Sequence, residues 1–324
     1  MVRVSQELFD EADRLEEEGQ QHRALIVWRQ LAETHPTRNV FLRLASITKE
    51  LGLIDDAEHA FQQALEIDGR SAGALMGLGV LAINRRNFEA AESHLKRACE
   101  IEESPGGFSL LGVALRNNGK EFEAEEAYRS AIRLDPKYEE AYYNLGVLLK
   151  FNRPSEALVH FRRAVELDPE YACAYRELGF VLSESGRNPE AENHLRKAIQ
   201  LEPDDAWTHI YLGTYLWHCT EVDSAAAEFR IAEELKPKWA VPLWSLGNIY
   251  SYAYEDLDLA QSFFERALEL DPDDPAAVKG LGRVFKKRGQ VDLAREYLGR
   301  ALVLDPSDDR SRALLDDIDG DSSG

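Results

Sequence analysis

The chain has 324 residues, 44% hydrophobic and 30% charged, a balance that excludes a disordered chain and by length alone allows two average domains. With 59 acidic against 38 basic residues the net charge is −21, which argues against nucleic acid or a membrane surface as the main partner. Cys99, Cys173 and Cys219 are too few and too scattered for a disulfide framework or a zinc ribbon.

The opening stretch, MVRVSQELFDEADRLEEEG, has no apolar signal core, and no run reaches membrane-spanning length, so a cytoplasmic location is expected. Helical periodicity starts there. Leu8, Ala12 and Leu15, then Ala24, Trp28 and Leu31, lie three or four residues apart and predict two helices closed by Pro36. Phe41, Leu44 and Ala45, then Ala57, Phe61 and Ala64 beyond Gly52, predict a second pair.

From there a fixed punctuation takes over. Leu-Gly recurs at Leu78-Gly79, Leu111-Gly112, Leu145-Gly146, Leu178-Gly179, Leu212-Gly213, Leu246-Gly247 and Leu281-Gly282, the glycines 33 to 35 residues apart. About 12 residues later comes an alanine, a bulky residue and another alanine, from Ala91-Leu95-Ala98 to Ala294-Leu298-Ala301. Several units close on Leu-Asp-Pro, as at Leu134-Asp135-Pro136 and Leu270-Asp271-Pro272. The pattern predicts nine helix pairs, at 5–37, 38–71, 72–104, 105–138, 139–171, 172–205, 206–239, 240–274 and 275–308. The turn FNRPSEA is shortened and YSYAYEDLDLA lengthened. A lone helix over 309–318 reads as an end cap, 319–324 as a frayed tail, and 1–320 as one domain.

The physical logic is uniform. Glycine on the first helix (A) and alanines on the second (B) let two backbones approach closely. Proline ends helix B and is tolerated where the next helix starts. One such hairpin has too little interior to bury its own apolar face, so neighbours must stack.

These residues resemble the tetratricopeptide repeat family over nearly the whole chain. The resemblance implies an all-α, right-handed superhelical solenoid of about nine hairpins with a C-terminal capping helix. It also implies a non-enzymatic protein–protein interaction scaffold, the free face of each A helix lining a concave groove that holds a peptide segment or helix.

One stretch bears on that groove. In AWTHIYLGTYLWHC, residues 206–219, His209, Leu212, Tyr215 and Leu216 fall on the side facing helix B, with Gly213 at its edge. Trp207, Ile210, Tyr211, Thr214, Trp217 and His218 fall on the opposite side, so the helix is apolar on two faces. The same positions carry Tyr143, Phe151 and Phe180 before it and Trp244 and Tyr252 after it. Rings of this kind are typical binding anchors, desolvating much area with few rotors to freeze. Arg116, Lys150 and Arg176, with Lys279, Arg283, Lys286 and Lys287, add positive charge on that face. The expected partner is therefore a protein segment, apolar with acidic flanks, or else a separately encoded enzyme that the chain regulates. Self-association through an exposed lining is a further use, and nucleic acid a weaker one.

Other family sites are incomplete. A carboxylate clamp would draw on Lys279, Arg283 and Asn248, but Trp244 stands where a lysine is expected. An asparagine ladder, as in O-GlcNAc transferase relatives, has Asn144 followed by Glu177, Tyr211 and Ser245. The chain carries no G-x-x-x-x-G-K-[ST] and no H-E-x-x-H, and neither metal nor cofactor is expected. His94, His160 and His194 recur a repeat apart and, like the Glu125-Glu126 pair, are expected on exposed faces.

Overall fold

The computed structural model describes residues 2–184, 186 and 189–321. Among them are 19 helices and no strand. The chain divides into two compact units, Met1–Asp168 and Pro169–Gly324, where the repeat pattern alone predicts one domain over 1–320. The division falls inside a Leu-Asp-Pro boundary between hairpins.

The first unit holds five hairpins: α1 (Val2–Glu17) with α2 (Gln21–Thr34), α3 (Arg38–Glu50) with α4 (Ile54–Ile67), α5 (Ala72–Asn84) with α6 (Phe88–Ile101), α7 (Pro105–Asn117) with α8 (Glu121–Leu134), and α9 (Glu139–Leu149) with α10 (Pro154–Leu167). The second unit holds α11 (Ala172–Glu184) with α12 (Pro189–Leu201), α13 (Ala206–His218) with α14 (Val222–Leu235), α15 (Ala240–Tyr252) with α16 (Leu257–Leu270), and α17 (Pro275–Lys287) with α18 (Val291–Leu304). It ends in α19 (Asp309–Asp321). That last helix runs past 318, where the cap was expected to end, and 322–324 lie outside the described residues.

Local chemistry sets these boundaries. Thr37, Ser71, Ser104 and Asp274 accept hydrogen bonds from backbone N–H groups of the first turn of α3, α5, α7 and α17, satisfying donors that a helix start leaves orphaned. Most A helices end in a residue with positive φ just past the cap. Gly52, Gly119 and Gly289 fill that place without strain, whereas α5 and α13 put Arg86 and Thr220 there.

Within the seven hairpins that carry Leu-Gly, the glycine admits the bulky B-helix residue. A methyl carbon at Gly112 would stand 2.4 Å from the Tyr128 ring, which is fully buried. Hairpins are also joined forward by charge. Glu92 on α6 accepts from Lys120 at 2.8 Å and from Asn118 at 2.7 Å, both in the following α7–α8 turn. Glu125 meets Arg153, Glu58 meets Arg85 and Asp258 meets Arg288 in the same sense.

Candidate functional site

The two apolar faces of helix α13 have different fates. Gly213 rests against Phe229 of α14. His209, 4% exposed, puts Nδ1 2.7 Å from Glu228 Oε2 and Nε2 3.0 Å from the Pro203 carbonyl oxygen. Both partners are acceptors, so the ring satisfies both only when doubly protonated. Burial pulls its pKa down, but these two acceptors outweigh burial and raise it above the usual histidine value.

The opposite face is open in part. Trp207 is 41% exposed, with its ring 4.6 Å edge-on to Trp239 and 5.8 Å from Tyr211. Trp207 and Trp239 line a cleft of about 520 Å³ with Lys236, Pro237 and Lys238 of the α14–α15 connection. Lys236 Nζ sits 5.5 Å over the Trp239 ring. A second cleft, about 130 Å³, lies between α13, α14 and α15. Trp217 and Trp244 line it with Thr214, Phe229, Ser245 and Asn248. A third, about 550 Å³, is bordered by Tyr252, Arg283, Lys286, Lys287, Arg310 and Leu314.

The expected groove residues are thus distributed over both units. In the first, Arg116 is half-buried on α7, and Tyr143 of α9 leans on the Phe161 ring at 6.1 Å. Lys150 Nζ lies 5.1 Å over Phe151, whose own ring is 75% exposed. In the second, Phe180 stacks on Tyr211 at 4.6 Å. Ile210 is a correction: at 5% exposure it belongs to the core and offers a partner no surface.

Several cations expected to face a ligand are held within the fold. Arg176 bridges Asp205 at 2.9 Å and Glu177 at 3.2 Å, and Lys279 pairs with Asp308 at 3.2 Å. Asn144, the one ladder position, is buried and donates to Ser109 Oγ at 3.1 Å. The residues that sequence reasoning missed are Trp239 with its flanking lysines, and Arg310. They stand in or just after B-to-A connections, which a helical-face projection does not cover, although a tryptophan within KPKWAV is visible as a signal.

Four further residues expected on exposed faces need correction. His160 and His194 are half-buried beside the rings of Tyr142 and Tyr175, at 6.1 and 5.8 Å, rather than facing outward. His94 is also half-buried, and burial lowers its pKa. Glu125 is 8% exposed and tied to Arg129 and Arg153, so it is no solvated surface acid. Among the described residues no helix is long and apolar enough to cross a membrane, and no group of three or more His, Cys, Asp or Glu side chains is placed to hold a metal ion.

Comparison with known proteins follows the repeat. Residues 8–134 match the middle TPR-like domain of cilia and flagella-associated protein 70. Residues 110–172, and separately 148–207 with 251–318, match tetratricopeptide repeats. A 77-residue stretch, 24% of this chain, is 36% identical to the peroxisomal targeting signal receptor of Candida albicans and spans 13% of that protein's length. Among solved structures, one chain of the APC/C hetero-tetramer Cut9–Hcn1 aligns over 92% of this chain and 59% of its own length, with TM-score 0.66 at 18% identity. A tetratricopeptide repeat protein of Parabacteroides merdae aligns over 76% of this chain and 98% of its own, with TM-score 0.61 at 16% identity. The pilF protein of Pseudomonas aeruginosa aligns over 69% and 100%, with TM-score 0.57 at 22% identity. At these identities the likeness is one of fold.

Proposed function

This chain belongs to the tetratricopeptide repeat family, whose fold serves as a protein–protein interaction scaffold, and from that premise we propose that its second unit grips a partner segment through the tryptophan clefts. The segment is apolar with acidic flanks. The observation that carries this reading is Trp207, 41% exposed beside Trp239 in a cleft that Lys236 and Lys238 also line. An apolar floor edged by lysines, in a chain of net charge −21, selects an apolar side chain next to a carboxylate. Trp217 and Trp244 supply a second, narrower seat, and Tyr211, on which Phe180 stacks, lies tilted beside Trp207.

Roughly 100 Å² of the Trp207 side chain remains to be covered, worth ~2.5 kcal/mol at ~25 cal/mol per Å². The test compares capture of partners from native lysate by wild type and by Trp207→Ala/Trp217→Ala/Trp244→Ala, with circular dichroism confirming that both fold. Loss of the captured species is expected. Equal capture by both folded proteins refutes the cleft reading.

A further inference from the structure

The pocket bordered by Tyr252, Arg283, Lys286, Lys287, Arg310 and Leu314 uses none of the tryptophans above. In a chain with 59 acids and 38 bases, four cations converge on one cavity of about 550 Å³. Lys286 is neutralised by Asp317 of α19. The other three are not neutralised in this way. Arg283, 9% exposed, donates from Nη2 to Asn248 Oδ1 at 2.6 Å and lies 4.1 Å over the Tyr252 ring. Its Nε is buried without an acceptor among the described residues. Lys287 donates to the Ser251 carbonyl oxygen and stands 5.2 Å over the same ring. Among the described residues, Arg283, Lys287 and Arg310 meet no carboxylate within ion-pair distance.

Such an arrangement is costly when empty. A guanidinium does not deprotonate in a protein, so although Tyr252 partly offsets them, burial and the nearby charge of Arg310, which oppose its cationic form, leave a positive potential in the cavity. An incoming anion relieves that cost by compensating the charge.

We propose that this pocket binds a phosphomonoester group. Charge decides between the oxyanions. Three cations face the cavity without a carboxylate; one carboxylate brings a single negative charge, while a phosphomonoester brings about 1.5 to 2 and three acceptor oxygens. Two of the cations are arginines, whose planar forks match phosphoryl oxygens in pairs. Leu314 and the Tyr252 ring give the carrier an apolar surface beside the charged end.

The site stands independently of the tryptophan clefts, and the experiment keeps the two apart. The full chain is titrated calorimetrically, at constant ionic strength in chloride, with inorganic phosphate, O-phosphoserine and acetyl-phosphoseryl-leucine amide. Saturable one-to-one binding is expected, weakened about tenfold or more in Lys287→Gln/Arg310→Gln and unchanged in Trp207→Ala/Trp217→Ala/Trp244→Ala. Lys287 and Arg310 are exposed, so their replacement spares the fold in a way that replacing buried Arg283 does not. Tighter binding of the phosphoseryl-leucine probe supports the site with a modified polypeptide as its source; equal binding of inorganic phosphate supports it with the free ion. No saturable binding, or no loss in the Lys287→Gln/Arg310→Gln variant, overturns the proposal. So does acetyl-glutamyl-leucine amide binding as well as its phosphoseryl counterpart.

Discussion

Replacing Gly280 by alanine should destabilise the second unit by ~2 kcal/mol, although alanine is the better helix former. The Phe264 ring of α16 is fully buried between two glycines, Gly247 of its own hairpin and Gly280 of the next. A methyl carbon at Gly280 would stand 2.3 Å from that ring, and one at Gly247 would stand 2.8 Å away, so the ring has no room to retreat. Ordinary contact begins at 3.4 Å, which demands a displacement of more than 1 Å in a closed site. Overpacking of that severity costs ~3 kcal/mol, at the upper end of the usual range, and the helix-propensity gain of alanine returns ~1 kcal/mol. Urea unfolding followed by circular dichroism measures the net effect, with the denaturant slope checked for constancy. Leucine fills the equivalent place in three other hairpins, as Leu95, Leu195 and Leu298. In a Phe264→Leu background the clash is therefore relieved and Gly280→Ala becomes nearly neutral, a coupling of ~1.5–2 kcal/mol. A neutral Gly280→Ala in the wild-type background, or the same cost in both, refutes the account.

Thr220 holds a φ of 66° where the turns after α3, α7 and α17 use glycine, so Thr220→Gly is expected to stabilise by ~0.5–1 kcal/mol in the same assay. Burial pushes the Glu92 carboxyl up, but Lys120, Lys96 and Asn118 together hold it at about 2 instead of 4.5. Its stability contribution is complete above 4.5 and lost as pH falls toward 2, so Glu92→Gln should cost ~1–3 kcal/mol at neutral pH and flatten the acid limb of a melting-temperature profile. His209 shows the opposite sign. Its raised pKa makes the contribution complete below the ordinary 6.5 and lost as pH rises through the raised value, a slope that His209→Gln removes.

The repeat itself was legible because it is written in local chemistry. Leu-Gly, the alanine triplets and Leu-Asp-Pro each act through close approach, helical spacing or a missing N–H, and those effects need no knowledge of the rest of the chain. The orientation of α13 was legible for the same reason: His209 and Gly213 do face α14. The site was less so. Stepping 100° per residue sorts a helix into faces but says nothing about how far a neighbouring A helix covers them. Ile210 and Trp207 lie on one face, yet one is 5% and the other 41% exposed.

Residue type and spacing therefore determined that this chain folds into paired helices stacked in series within each unit, and which residues cement each pair. Only the folded chain decided which charges are already compensated. Arg176 is matched by Asp205, 29 residues away, while Arg283 donates to the Asn248 amide and lies over the Tyr252 ring. Local periodicity operates over a few residues, whereas desolvation and charge pairing depend on what the neighbouring repeat brings close, and that distance is set by stacking.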